Sequence, residues 1–267
     1  MTARPPRGRA AAGTPQGKGA ALRDPLPGYA PRGVLQGRRA LLFGGLAAGG
    51  PGRSVAAALA KEGTAVAVAD TTRLSGLPPG ARPVPRQRLG DDPVLLAAGL
   101  VSALGAWSLP IHCDPSSEAD GREAVAHTAL EFGSLDLLVV HGSAATGPHS
   151  GRERAKRGPG AAPAPRSSLG RLGGALRAVR EARPFLDDGA AVVLLGERGR
   201  AVGGTAGVAA DLRSLAGVLG GRGVRLSCLL PRAADTDADI AAAVADLASD
   251  TGRTGEVVGV AQVPYPQ

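Results

Sequence analysis

Two groups of residues have types and spacings suited to chemistry. Gly44, Gly45, Gly50 and Gly52 crowd the stretch between one apolar run, Ala40 to Phe43, and an alternating helical pattern that begins near Val55. Backbone without side chains lets an anion approach the N–H groups at a helix start, where the helix dipole favours negative charge. Arg53 adds a cation at that start. Asp70 closes the next apolar run, 18 residues past Gly52. That is close to the roughly 20-residue interval at which an acid accepts ribose hydroxyls in such units. Together they predict a nucleotide cradle, with glycines for the pyrophosphate and Asp70 for the ribose. A phosphate-binding P-loop ending in Gly52-Arg53-Ser54 is the nearest competitor. It fails because Ala47 stands where its first glycine belongs and Arg53 replaces its lysine.

Other candidates are thinner. His141 falls at the C-terminal end of an apolar run, and Glu197 follows another; either could act as an acid or base. His112, His127 and His149 share no metal-ligand spacing, so no metal site is expected. Ser143 beside His141 is not a nucleophile pair on sequence grounds. Asp114, like Asp70, sits just past an apolar run.

The elements that must position these residues alternate. Strands are predicted at 40–43, 64–69, 108–113, 135–141, 190–195, 224–230 and 256–261. Helices are predicted from Val55 to a capping Gly63, then at 93–104, 118–132, 169–186, 204–219 and 240–248. Continuously apolar strands alternating with helices predict an α/β, Rossmann-like doubly wound sheet. It is mostly parallel, of about seven strands, with helices on both faces. Residues 1–33 lack periodicity and read as a disordered basic tail; residues 34–267 read as a single domain, with a low-complexity loop at 144–168.

Charge is uneven. Residues 1–39 carry a net +7 and residues 150–171 a net +5 in a chain of net +8, so the rest is mildly acidic. Those basic stretches could touch polyanions, but no aromatics are interleaved to stack on bases, so nucleic acid is not the expected partner. No run of 18 apolar residues is present, and no membrane span is expected. The basic N-terminus has no apolar stretch behind it, so no secretory signal is expected. Cys113 and Cys228 lie in apolar runs and read as reduced core residues of a cytoplasmic protein.

With these motifs in order, the chain from about Leu35 to Val260 resembles the short-chain dehydrogenase/reductase family. The likeness is carried by the glycine turn, by Asp114, and by Gly133-Ser134-Leu135-Asp136-Leu137-Leu138-Val139. It continues in Leu212 to Ala216 with Arg222 to Leu226, and in Ile240 to Asp250 with Thr254-Gly255-Glu256-Val257. The resemblance implies NAD or NADP as cofactor. Asp70 favours NAD by repelling a 2′-phosphate, while Arg53 and Arg73 blunt that preference. It also implies that Asp114 contacts the adenine and that Gly142, in the family's N-N-A-G position, lies beside the cofactor. The helices at 169–186 and 204–219 resemble those through which the family assembles. A homo-oligomer, or a mixed one with an active relative, is therefore expected.

Departures bear on activity. The family uses a tyrosine as acid/base, a lysine four residues later that lowers its pKa, a serine and an asparagine. Here those positions fall on Ala201, Thr205, Glu197 or Gly196, and Arg171. The chain's tyrosines are Tyr29 and Tyr265 and its lysines Lys18, Lys61 and Lys156, so no Tyr-x-x-x-Lys exists. The glycine turn has two extra residues between Gly44 and Gly50. N-N-A-G reads Val140-His141-Gly142-Ser143, which makes His141 a structural stand-in for asparagine. The nicotinamide-side P-G-x-x-x-T reads Pro231-Arg232-Ala233-Ala234-Asp235-Thr236, and the substrate-covering segment after it is almost absent. A non-catalytic binding or assembly subunit is the leading expectation. The alternatives are an oxidoreductase with non-standard acid/base residues and an anion-binding accessory protein.

Overall fold

The structure, a computed structural model, describes residues 23–46, 50–70, 92–113, 118–142, 179–180, 182–199 and 205–263. The strands are β1 (Arg39–Phe43), β2 (Ala65–Asp70), β3 (Ser108–His112), β4 (Leu135–His141), β5 (Leu186–Leu195), β6 (Arg225–Leu230) and β7 (Glu256–Gly259). The helices are α1 (Gly52–Lys61), α2 (Pro93–Ala103), α3 (Glu118–Phe132), α4 (Thr205–Leu219) and α5 (Asp237–Ser249). Short 3-10 turns sit at Arg183–Phe185, Gly220–Arg222 and Val260–Gln262.

Local chemistry sets these ends. Asp92 accepts the N–H groups of Val94 at 2.9 Å and Leu95 at 3.2 Å, and Pro93 opens α2 with the φ it needs. Thr236 and Asp239 form a reciprocal capping box on α5. Gly63, at φ 86°, lets the chain leave α1 left-handed and turn into β2.

All strands are parallel, in the order β3-β2-β1-β4-β5-β6-β7. Successive side chains alternate between two cores. Leu42, Val66, Val68, Leu137, Val139 and Val193 pack under α1, α2 and α5. Leu41, Phe43, Leu138, Val140, Val192 and Leu194 pack under α3 and α4. Burial on both faces is why the strands read as unbroken apolar runs. At the N-terminal ends of the strands, Arg39 holds Asp136 in a fork of 2.7 and 3.1 Å and reaches Asp187 at 3.1 Å, tying β1, β4 and β5 together.

The seven-stranded doubly wound sheet is as expected, and it is parallel throughout. Two expectations need correction. Leu186 belongs to β5, not to a helix ending there. Residues 179–180 and 182 are helical, but Pro184, which has no N–H to donate, sits in a 3-10 turn, and the chain leaves it extended. The second correction is residues 23–33, expected within a disordered tail. Leu26 is buried in the α1-side core. The Lys61 ammonium donates to the Leu26 carbonyl and pairs with Asp24 at 2.7 Å. Glu62, fully enclosed at the end of α1, accepts the Tyr29 hydroxyl at 2.7 Å and the N–H groups of Arg32 and Val34 at 3.2 and 3.0 Å. Arg32 also pairs with Asp246 of α5. A buried carboxylate requires donors, and this segment supplies them. The ordered body therefore begins ahead of Val34. Residues 1–22 and the 144–168 loop lie outside the described residues.

Candidate functional site: the crevice at the strand ends

The sheet order reverses direction between β1 and β4, and in open α/β sheets the ligand crevice lies at such a reversal, beyond the C-terminal strand ends. Gly44, Gly45, Asp70, His141 and Gly142 are all brought to it. Gly44 and Gly45 take φ values of 79° and 81°, a region that disfavours side chains. A Cβ on Gly45 would lie 2.9 Å from the His141 ring. Gly50 precedes α1 and Gly52 is its first residue. A Cβ on Gly52 would lie 2.6 Å from the Gly45 carbonyl oxygen, so turn and helix meet through bare backbone. Arg53 follows in the first turn. That turn has no acidic residue, and α1 has no side-chain cap. Bare backbone and a helix start without an acid are what an anion would need there.

The cradle is also partly filled by the protein itself. Gly44 N–H donates to Ala69 O at 2.7 Å, and Gly52 N–H to Gly45 O at 3.0 Å. Asp70, 7% exposed, accepts the Leu46 N–H through Oδ2 at 2.9 Å. The Leu46 side chain is buried in the α1-side core. Asp114 lies outside the described residues.

His141 is buried, and burial pushes its imidazole down to about 4, opposed by the nearby Glu197 carboxylate. Glu197 is half-buried just past β5, and Gly142 lies against Leu195 O and Glu197 N. An imidazolium pKa near 4 makes the ring neutral and weakly basic at pH 7, far from the range that suits a general base. The neutral form must also govern stability. The unfolded histidine takes up its proton below its ordinary value of 6.5, while the folded one resists until about 4. Stability is therefore expected to be level above pH 6.5 and to fall between there and pH 4 by about 1.4 kcal/mol per unit. His141→Asn should flatten that slope in denaturant melts across the window; an unchanged slope would contradict the assignment.

On the far side of the crevice, Arg232 N–H donates to Asp235 Oδ2 at 2.6 Å, and Arg198 pairs with Asp237 at the start of α5. Only residues 231–236 join β6 to α5, so this connection carries no covering element. A cavity of about 670 Å³ beside the edge strand β7, bounded by Arg213, Leu230, Glu256 and Val257, is away from these groups. No cluster of His, Cys, Asp and Glu suited to a metal is present among the described residues. None of the described helices is long and apolar enough to cross a membrane.

No protein-family model matches the sequence, and no curated protein matches it significantly. Solved structures do. A short-chain dehydrogenase from Mycobacterium smegmatis aligns with a TM-score of 0.62 and 21% identity, covering 90% of this chain and 98% of that one. An NADH-dependent reductase complexed with NAD gives 0.61 at 18% identity, covering 88% and 99%. A short-chain dehydrogenase from Burkholderia cenocepacia, in complex with NADP, gives 0.59 at 21% identity, covering 84% and 96%. The chain has the short-chain dehydrogenase/reductase fold.

Among the described residues, the tyrosine is Tyr29 and the lysine Lys61. Tyr29 and Lys61 lie at the C-terminal end of α1, where the strands begin, at the opposite end of the sheet from the crevice. Burial and the Glu62 carboxylate push the Tyr29 phenol up, away from any acid/base role. Thr205, at the old lysine position, opens α4; Ala201 and Arg171 lie outside the described residues. Cys228 is a core thiol whose burial pushes it up to about 12. Sequence reasoning missed Leu46 and Asp235. The signal for Leu46 was the two-residue excess between Gly44 and Gly50. The signal for Asp235 was an acid three residues past Arg232, able to close its own turn.

Proposed function

We propose that this chain is a divergent short-chain dehydrogenase/reductase that retains a dinucleotide crevice and no longer performs the family's proton transfer, acting as a binding or assembly subunit. The observation that carries this is the displacement of its described phenol and amine to the end of the sheet opposite the crevice, in a chain with no Tyr-x-x-x-Lys. The residues fit the adenosine and pyrophosphate half of a dinucleotide. α1 begins without a cap or an acid, Gly45 and Gly52 keep the backbone bare, and Asp70 stands at the end of β2 for the ribose. Gly44, Gly50, Arg53, Asp114 and Gly142 complete the proposed contacts. They fit the nicotinamide half poorly, since Arg232 N–H is already taken by Asp235. A bound nicotinamide supplies a hydride donor or acceptor. The chain's own contribution is to hold the adenosine end.

Solved proteins of this fold carry NAD or NADP, and Asp70 tilts the expectation here to NAD. α4, with the stretch at 169–186 that the sequence reads as a helix, is proposed as the assembly face, toward a second copy or an active relative. A cytoplasmic setting accords with Cys228 in the core and Cys113 half-buried at its edge, neither in a disulfide. Titrating NADH and NADPH by their fluorescence tests the binding half. A saturable signal, stronger for NADH, is expected; no saturation at millimolar cofactor would reduce the protein to a scaffold. A second reading has one observation in its favour: His141 and Glu197 interact electrostatically at neighbouring strand ends. They could serve as a non-standard acid/base pair, although a depressed imidazole is a poor base at neutral pH.

A further inference from the structure

The two sides of the crevice differ in what they offer a ligand. Beyond β1 and β2, α1 starts without a side-chain cap or an acid, and Asp70 closes β2. Beyond β5 and β6, the protein satisfies its own polar groups. Arg232 N–H donates to Asp235 Oδ2 at 2.6 Å, and Asp235 N–H donates back to Arg232 O at 3.2 Å. Asp235 is only 8% exposed, so this turn is closed on itself. Thr236 donates both its N–H, at 2.9 Å, and its hydroxyl, at 2.7 Å, to Asp239 Oδ2. The N–H groups of Gly196 and Gly199 donate to Leu229 O and Pro231 O at 2.8 and 3.1 Å. A Cβ on Gly199 would lie 3.1 Å from Ala233 Cβ, so the turn after β5 rests on the connection after β6. Asp237 holds the Arg198 guanidinium, and Asp235 holds that of Arg232 at 3.4 Å. Ala233 and Ala234 are exposed, and no element covers them between β6 and α5. An aromatic ring placed on this side would stay in water and would have to break internal hydrogen bonds to make its own. Apolar surface left in water adds no affinity, and exchanging one hydrogen bond for another adds little.

We propose that the crevice recognises the adenosine diphosphate portion of its ligand alone, so that nicotinamide-free adenosine diphosphates are ligands in their own right and ADP-ribose binds as tightly as NAD. This rests on the dinucleotide reading above and adds that the nicotinamide contributes nothing to affinity. The ligand class is then set by Asp70 and the start of α1, and not by the far side of the sheet.

Calorimetric titration of the full chain with ADP-ribose, NAD and nicotinamide mononucleotide tests it. The dissociation constants of ADP-ribose and NAD are expected to agree within about threefold, and nicotinamide mononucleotide should not saturate. NAD tighter than ADP-ribose by more than that factor overturns the inference and leaves the dinucleotide reading intact. Saturation by nicotinamide mononucleotide also overturns it. No saturation by ADP-ribose or NAD overturns both. Asp70→Asn, which removes the negative charge that the ribose hydroxyls would meet, should weaken ADP-ribose and NAD by the same factor, about tenfold. A loss for only one of the two contradicts the inference, and no loss for either places the ligand elsewhere and overturns both. The native series decides the matter alone if Asp70→Asn does not fold.

Discussion

Replacing Glu62 with alanine is expected to lower stability by about 3 kcal/mol or more, because it removes the charged acceptor of three hydrogen bonds. The Glu62 carboxylate is completely enclosed and takes the Tyr29 hydroxyl together with the N–H groups of Arg32 and Val34. In a body of this size that corresponds to a fall in melting midpoint of roughly 6–12 °C. Tyr29→Phe removes only one of the three donors and should cost about 1 kcal/mol. Glu62→Gln should fall between, since its amide keeps one acceptor but turns a donor toward donors. Urea unfolding of the three variants gives the ranking. A Glu62→Ala cost no larger than that of the exposed Glu256→Ala would mean that the segment ahead of Val34 contributes nothing.

The second large effect is expected at Gly52. An alanine there places Cβ 2.6 Å from Gly45 O and 2.7 Å from Gly45 C, which are backbone atoms of the turn just past β1. No side-chain rotation relieves such a contact, so either the turn or the helix start must move. Overpacking of this kind costs about 1–3 kcal/mol, and the Gly52 N–H to Gly45 O bond adds about 1 kcal/mol when it is lost. Gly217 provides the opposite case in the same protein. It is exposed within α4, and nothing lies within 4 Å of its built Cβ. Gly217→Ala should therefore stabilise the protein by roughly 0.8–1 kcal/mol through helix propensity. Denaturant midpoints of opposite sign for the two substitutions are the expected outcome. A neutral Gly52→Ala would mean that the turn is not fixed against the helix.

These contrasts mark what the sequence could and could not say. Adjacent residues such as Leu41 and Leu42 face opposite cores, so the apolar runs disclosed a sheet covered on both sides. Gly63 disclosed a helix end, because capping is local. The position of the crevice followed from strand order. The contacts of the N-terminal segment were not legible. Arg32 meets Asp246 across 214 residues, and a Pro/Gly/Arg-rich composition hides the two side chains, Leu26 and Tyr29, that anchor it. The start of β5 was misplaced because a helical pattern through Phe185 gives no sign of where Pro184 stops it. The filling of the glycine turn was illegible for another reason. Spacing shows that two residues are extra, but which of them folds inward depends on Asp70 and on the surface of α1.

The central claim is that the fold persists while the proton-transferring groups do not. Steady-state turnover addresses it most directly. The purified chain, at micromolar concentration with NADH or NADPH and a panel of ketones and aldehydes, should consume no cofactor above the protein-free rate. Consumption that scales with protein, survives a second purification and disappears in Glu197→Ala or His141→Ala would contradict the claim and hand the crevice to that pair instead.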